Sequence, residues 1–512
     1  MRTKKSIQNI FFALIAQFCT TLCAFVIRTA LIKILGNQVV SLNGLFTEVI
    51  AMLSLAEMGV GSAIVYNLYK PLADKDYHKV SQLMNLFEKA YRIIAGASFL
   101  IGCLLIPWIH YLVNEIDYSD NYIRLVYFLF VVQTSVSYLF AYKISLLNAD
   151  QKKYINSIVN TLVRVLSTGV LLLVLELTND YIVFLGFNIF FTILSNFITS
   201  LIVDKNYTYL SKREILPKEE RLKVFTNIKD IFIKTISSKI TNSTDNILIS
   251  TLVGTLQVGY YSNYAMFFNV VRQLEAQFGA GIAGSVGDLL TGTNHKHSIE
   301  VLKRLTFIFY LCASCGMVCL YSVLSPFITL WLGGEYILDG YIVAISCYVV
   351  FFEFAKLPLW RYLEVSGLFK QDRNISILGS VINLFVSIIL GLRVGIAGIF
   401  IGTLFTFIIQ LVLKIRLLYR DFFHESPRDY YFYWIKLSIL MIIQMFVVNI
   451  VLQKLNISNL YLKVILFGLI GGMAAVISNI LVFMSTPEFR YTIGLIRSGV
   501  QKLRIRKNQD GE

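Results

Sequence analysis

The sequence predicts an all-α polytopic membrane protein of about 14 transmembrane helices, built as two pseudo-symmetric six-helix bundles followed by two C-terminal helices. Three observations predict it. Of the 512 residues, 56% are hydrophobic and only 15% charged, with a mean hydropathy of +0.67. A soluble domain is about 25% charged, so a two-domain soluble enzyme, a disordered chain and a coiled coil are all excluded. Apolar windows long enough to cross a hydrocarbon core, about 20 residues each, recur along the whole chain. Finally, one pattern in the second window returns in the eighth.

The windows fall at about 10–35, 42–68, 90–113, 122–147, 155–176, 181–203, 231–253, 258–287, 305–331, 340–360, 374–393, 395–418, 431–452 and 461–484. They are too long for the alternating ten-residue segments of a membrane barrel, so each is read as a helix. Arg2, Lys4 and Lys5 precede the first, as in a secretory signal. Its apolar run is too long for one, and no small-residue cleavage site follows. It is read as a retained helix. Window 7 is unusually polar, with Ser237-Ser-Lys-Ile-Thr-Asn-Ser-Thr-Asp-Asn246 between apolar flanks. Ser238, Asn242, Asp245 and Asn246 share one helical face there, which argues for a water-filled side. Tyr260, Tyr261 and Tyr264 at one end of window 8 read as an interfacial aromatic belt.

Lysine and arginine set the orientation. With the N-terminus in the cytoplasm, the inner connections and tails hold 34 Lys and Arg, while the outer connections hold only Arg393, Lys454 and Lys463. Both termini are therefore expected in the cytoplasm. The net charge of +15 then needs no nucleic acid, because the basic loops and tail face an anionic leaflet. Cys312, Cys315 and Cys319 share a helix face, but no His or carboxylate joins them, so small-residue helix packing is the expected role.

Window 2 contains Glu57-Met-Gly-Val-Gly61-Ser-Ala-Ile64 and window 8 contains Glu275-Ala-Gln-Phe-Gly279-Ala-Gly-Ile282. Gly36 and Gly254, in the turns after windows 1 and 7, keep the same offset. The chain thus divides into an N-terminal six-helix half (1–205), a basic linker (206–230), a second half (231–420), two extra helices (421–484) and a basic tail (485–512). Each half has an even number of spans, so the repeat is parallel, as in transporters that rock two halves about a shared cavity.

Ionisable residues inside a membrane are costly and face partners or cavities. They concentrate in the first two helices of each half: Arg28, Glu48, Glu57, Lys239, Asp245, Arg272 and Glu275. Arg164, Glu353 and Lys356 lie elsewhere. Arginine pairs bidentately with phosphate oxygens and stays charged. Arg28, Arg272 and Lys239 are therefore the candidate ligands of a substrate diphosphate. Glu57, Asp245, Glu275 and Asn242 are candidate cavity or coupling residues. The competing use of Arg272 is pairing with Glu275 three residues on, and that of Glu353 is pairing with Lys356. Glu57 and Glu275 precede glycines, so capping a helix break competes with ion or proton coupling.

The segments Leu53-Ser-Leu-Ala-Glu-Met-Gly-Val-Gly-Ser-Ala-Ile64, Leu68-Tyr-Lys-Pro-Leu72, Gly259-Tyr-Tyr-Ser-Asn-Tyr264 and Pro326-Phe-Ile-Thr-Leu-Trp-Leu-Gly333 resemble polysaccharide flippases of the multidrug/oligosaccharidyl-lipid/polysaccharide exporter superfamily. The resemblance covers nearly the whole chain. It implies a bacterial cytoplasmic-membrane flippase that moves undecaprenyl-diphosphate-linked oligosaccharide repeat units to the outer leaflet for capsule, O-antigen or exopolysaccharide. It also implies membrane lipids as surroundings, polymerase and ligase machinery as partners, and a cation-lined cavity that Arg28, Arg272 and Lys239 match. In window 2, carboxylates stand where relatives place an arginine. No cofactor or metal is implied, and Na+ or H+ coupling stays open. Two alternatives share the superfamily: a peptidoglycan-precursor flippase, and a cation-coupled multidrug exporter, whose cavity should be acidic. A membrane polymerase or ligase would need a large outer loop, and no outer connection exceeds about a dozen residues. The chain is therefore not expected to be an enzyme.

Overall fold

The computed structural model describes residues 2–210, 215–222, 224, 244–290 and 295–509, with side chains described outside 2–14, 55–59, 62–63, 280–281, 283–285, 288, 369 and 499–509. Every regular element among the described residues is helical. In order they are α1 (Arg2–Leu35), α2 (Asn37–Leu53), α3 (Leu55–Ala73), α4 (Tyr77–Leu105), α5 (Asp120–Ala149), α6 (Lys153–Thr178), α7 (Tyr181–Asn206), α8 (Asp245–Leu252), α9 (Thr255–Leu290), α10 (His295–Leu332), α11 (Gly340–Val365), α12 (Phe369–Val394), α13 (Ile396–Leu417), α14 (Arg428–Gln453), α15 (Leu460–Phe483) and α16 (Pro487–Gln509). Short 3-10 turns cover Ile106–Leu112 and Gly334–Tyr336, and a π-helical turn covers Leu418–Phe423.

Eleven helices among the described residues are long and apolar enough to cross a membrane. Their outward surfaces are apolar, with Leu104, Leu166, Leu177, Phe385, Phe446 and Leu481 among many exposed. A water-soluble protein does not expose that much apolar surface. The chain is a multi-pass membrane protein. The count falls short of fourteen for identifiable reasons. Window 42–68 is broken at Ser54 into α2 and α3, where Ser54 Oγ donates to the Ile50 carbonyl at 2.8 Å. Such back-bonding competes with the helix ladder and bends it. Most of window 231–253 lies outside the described residues. Helix α9 carries Asn263, Asn269, Arg272, Gln273, Glu275 and Gln277, too polar a set to join the eleven.

Local signals place the helix ends. Asp76, Ser119, Asp180 and Asn459 each cap a helix by accepting from a first-turn backbone N–H. Asn179 takes the left-handed conformation that ends α6 just before Asp180 starts α7. Gly36 (φ 82°) and Gly254 (φ 142°) make the tight turns between α1 and α2 and between α8 and α9. Only glycine adopts such φ values without strain. The two repeat-related glycines thus do the same backbone job.

By contacts the chain forms two compact units, Met1–Ser262 and Asn263–Glu512. In unit 1, α1 packs on α6, α5 on α4 and α7, and α3 on α5. The described part of the 206–230 segment is docked on this unit rather than loose. Tyr207, Leu216 and Val224 are buried among Val60, Leu68, Val80 and Phe87, and Tyr207 Oη donates to Asp150 Oδ2 at 2.7 Å. Helix α8 and the first turns of α9 also belong to unit 1. Asn37 Nδ2 donates to the Leu256 carbonyl at 3.1 Å, and the Asn114 N–H donates to Thr255 Oγ1 at 2.7 Å. The contact boundary therefore falls inside α9, whereas the repeat boundary read from sequence is the linker.

In unit 2, α12 and α13 form a tight hairpin, α11 packs on α10 and α13, and α15 packs on α10. The hairpin closes because Gly398 lies against the Leu390 carbonyl and Gly402 against Ser387, with no room for a Cβ at either. Small residues let membrane helices approach this closely. The α10–α15 seam is polar at its heart: Tyr310 Oη donates to Asn479 Oδ1 at 3.0 Å, and Asn479 Nδ2 donates to Ser314 Oγ at 3.0 Å. Cys319 and Cys315 lie on this seam beside Gly468 and Asn479. Part of the tail is helical and packed, since Thr492 of α16 is buried and the Arg304 guanidinium lies 4.8 Å over the Tyr491 ring. Tyr261 and Tyr264 are buried, and Tyr264 Oη accepts from the Leu338 N–H at 3.1 Å. They are core residues of their units rather than an interfacial belt.

Candidate functional site

The predicted site residues fall into two groups, one in each unit. In unit 1, Arg28 lies seven residues before the end of α1, about 10 Å along the axis. Its Nη2 donates to the Gly259 carbonyl at 3.2 Å. Gly259 packs so closely on Asn37 and Ser41 of α2 that no Cβ fits, and this brings its backbone within reach of the guanidinium. Tyr181 is within electrostatic range of Arg28, and its Oη accepts from Asn43 Nδ2 at 2.8 Å. Arg28 thus sits in a patch of hydroxyl, amide and carbonyl dipoles.

Asp245, the first residue of α8, is half-buried. The backbone of Glu57 lies in α3, and its side chain is outside the described ones. Lys239 and Asn242 lie outside the described residues.

Unit 2 gathers the other group. Arg272 and Glu275 on α9 meet Glu353, Lys356 and Arg361 on α11. Arg272 Nε donates to Glu353 Oε2 at 2.8 Å, and Nη1 donates to Asn269 Oδ1 at 3.2 Å. Glu275 stays in electrostatic range of Arg272, three residues away on the same helix, and Glu353 adds a bond from the facing helix. Lys356 stays in electrostatic range of Glu353 and Glu275, and its ammonium lies 3.2 Å from the Phe407 ring centroid and 5.2 Å from that of Trp360. Cation–ring contacts of this kind stabilise a desolvated cation by about 2 kcal/mol. Gly279 lies against the Arg361 guanidinium, which bonds Glu364 Oε2 at 2.5 Å.

Two residues that sequence reasoning did not single out, Lys414 and Asp372, belong to this network. Lys414 is on α13 and buried, with its ammonium 2.5 Å from Asp372 Oδ1 of α12 and 4.5 Å over the Trp360 ring. Its Nζ also donates to Ser376 Oγ at 3.3 Å. A run of alternating cations and carboxylates therefore crosses from α9 through α11 to the α12–α13 hairpin. It can exchange partners with an anionic ligand: a diphosphate oxygen competes with Glu353 for Arg272 by the same charge-assisted hydrogen bonds. Among the described residues no three His, Cys, Asp or Glu gather in a metal-binding group.

The described residues form an all-helical membrane body of two units, each with an arginine of its early helices held among polar partners, and this fold is shared with solved membrane proteins. It matches the lipid II flippase MurJ in an inward closed conformation with a TM-score of 0.68 at 16% identity, covering 93% of this chain and 99% of that one. It matches an inward-facing multidrug resistance MATE family transporter of the MOP superfamily with a TM-score of 0.59 at 13% identity, covering 77% and 92%. A single-site mutant of the MATE transporter VcmN of Vibrio cholerae gives 0.59 at 14% identity, covering 83% and 99%. A comparison with curated protein sequences finds no match. The family model described as polysaccharide biosynthesis protein matches residues 6–280, and the chain belongs to that family.

Proposed function

We propose that this protein is a flippase for undecaprenyl-diphosphate-linked oligosaccharide repeat units, moving them from the inner to the outer leaflet of a bacterial cytoplasmic membrane by alternating access. Its product feeds surface polysaccharide assembly by polymerase and ligase machinery, and both termini lie in the cytoplasm. The observation that supports this most is the family match over residues 6–280, a region that contains Arg28, Lys239 and Arg272 together. In this reading those three cations hold the diphosphate, the prenyl chain stays in lipid, and the sugars follow the diphosphate through the polar path. Arg272 exchanges Glu353 for a phosphate oxygen on loading. The exchange keeps the guanidinium paired throughout, and Lys356, in electrostatic range of Glu353, attends the released carboxylate. Glu57, Asp245, Glu275 and Asn242 are proposed as polar-path or Na+/H+-coupling groups.

A second reading, a peptidoglycan-precursor flippase, is favoured by the fold match to the lipid II flippase. A multidrug exporter handling cations fits less well, because a cation repels Arg28, Lys239 and Arg272. The deciding experiment quantifies undecaprenyl-diphosphate-linked species by mass spectrometry in cells lacking the protein. Accumulation of full-length repeat units, cleared by the wild-type chain, supports the first reading. Accumulation of the peptidoglycan precursor alone supports the second, and no accumulation refutes both.

A further inference from the structure

Unit 1 contains a second polar feature, in the middle of its helices and apart from Arg28. The polar residues of α6 fall one turn apart at Asn156, Asn160 and Arg164, facing Asn188, Thr192, Ser195 and Thr199 of α7. Most of these side chains satisfy one another. Thr199 Oγ1 donates to Asn156 Oδ1 at 3.4 Å, Ser195 Oγ donates to Asn160 Oδ1 at 2.5 Å, and Gln133 Nε2 of α5 donates to Thr192 Oγ1 at 3.1 Å. At Arg164 this ladder opens into a pocket of about 230 Å³, to which Thr20 of α1, Asn188 and Asn196 also contribute.

Arg164 is what needs an explanation. It lies about 17 Å from the start of α6 and about 21 Å from its end, near the depth where a cation costs most. Leu162 and Leu166 beside it are exposed on the apolar surface, so the arginine turns inward. Among the described residues no carboxylate forms an ion pair with its guanidinium, the Cys23 thiol of α1 is the group in electrostatic range, and no Asp or Glu lines the pocket. Val163 and Phe191 form an apolar part of the wall, and the rest of the lining is amide and hydroxyl, which accompanies an anion but does not neutralise a cation. The volume is below the roughly 300–1,000 Å³ of drug-sized sites, so one small group fits and an oligosaccharide does not.

We propose that this pocket is an anion-accepting subsite, in which Arg164 takes a carboxylate or a comparable small anion while Asn188 and Asn196 bond the groups around it. Two sources supply that chemistry: an acidic sugar of the transported oligosaccharide, which rests on the flippase reading, or an inorganic anion. The test uses the full-length protein purified in lipid nanodiscs in a low-salt zwitterionic buffer, with thermal protection titrated by glucuronate, by glucose as the neutral analogue, and by chloride. A charge-assisted hydrogen bond contributes about 1.5–3 kcal/mol, so Arg164→Gln should weaken anion binding about ten- to a hundred-fold, and Arg164→Lys less. Protection by glucuronate but not glucose, lost in Arg164→Gln, supports the acidic sugar. Protection by chloride alone, with the same dependence on Arg164, supports the inorganic anion. Absence of protection by either anion, or undiminished protection in Arg164→Gln, overturns the proposal. Should that variant fail to fold, Asn188→Leu fills the same pocket, and undiminished binding by it overturns the proposal equally. No transport enters the assay, so its failure leaves the transport assignment standing, and failure of that assignment leaves the binding result readable.

Discussion

Replacing Asp372 with asparagine should be among the most damaging single changes in unit 2. It takes a carboxylate away from the Lys414 ammonium, 2.5 Å distant, in a place where the two side chains are only 11% and 3% exposed. Removing one partner of a buried pair costs about 3–5 kcal/mol, because the other charge is left in low dielectric. Ser376 Oγ at 3.3 Å and the Trp360 ring at 4.5 Å still attend the ammonium, which places the expected loss near the lower end, about 3 kcal/mol. That is a factor of roughly 10² in the folded ratio. Lys414→Met should cost a similar amount, and the double variant Asp372→Asn/Lys414→Met should recover most of it. The assay is denaturant unfolding in detergent micelles for wild type, both singles and the double, read as a coupling energy. Neutral hydrogen bonds between membrane helices average about 0.6 kcal/mol. A coupling of that size or less would refute the assignment of Lys414 and Asp372 as an ion pair that holds α12 to α13.

Three further outcomes follow from other contacts. Arg28→Ala and Arg272→Ala should each leave the protein folded while lipid-linked intermediates accumulate in complemented cells; clearance at the wild-type level by both would remove them from the diphosphate site. Gly398→Ala should cost at least the roughly 1–3 kcal/mol of overpacking, because the new Cβ meets the Leu390 backbone rather than a side chain that can turn away; unchanged thermal stability would contradict the close hairpin. Tyr207→Phe removes a bond to the Asp150 carboxylate in a partly exposed setting, so a loss near 1.5 kcal/mol is expected. It should also speed protease cleavage in the 206–230 segment, and an unchanged cleavage rate would mean the segment is held by its apolar residues alone.

Much of the architecture was legible because a membrane helix is written as one long apolar run, and the caps at Ser119 and Asp180 stand where such runs begin, whereas the helix capped by Asp76 starts well ahead of window 90–113. The shared turn chemistry of Gly36 and Gly254 was legible too, since the repeat aligned them and glycine alone suits their φ. The break at Ser54 was not, because a single serine in an apolar run reads as a tolerated residue until its Oγ is seen on the Ile50 carbonyl. Lys414 was not singled out, although it lies inside window 395–418, because a lysine near the end of an apolar run reads as facing the membrane surface until its partner is seen. A signal for it existed: Asp372 and Lys414 lie at comparable distances on either side of the Gly395 turn, and an antiparallel hairpin brings such positions together. Arg272 was visible as an intramembrane charge with Glu275 three residues along the helix, but its bond to Glu353 on the facing helix was not. Spacing within one helix cannot report a contact made by another. The polar ladder around Arg164 is present in the one-turn spacing of Asn156, Asn160 and Arg164, but its other side comes from α7, which spacing within α6 does not report.

The central claim is tested most directly by translocation itself. Purified protein would be reconstituted into liposomes with an undecaprenyl-diphosphate-linked oligosaccharide, and the glycan reached from outside scored with a membrane-impermeant glycosidase. The account predicts cleavage rising beyond the outer-leaflet half in wild-type liposomes and stopping at that half with Arg28→Ala/Arg272→Ala. Cleavage that stops at half with the wild-type protein, while a cationic dye is moved by the same liposomes, would contradict it.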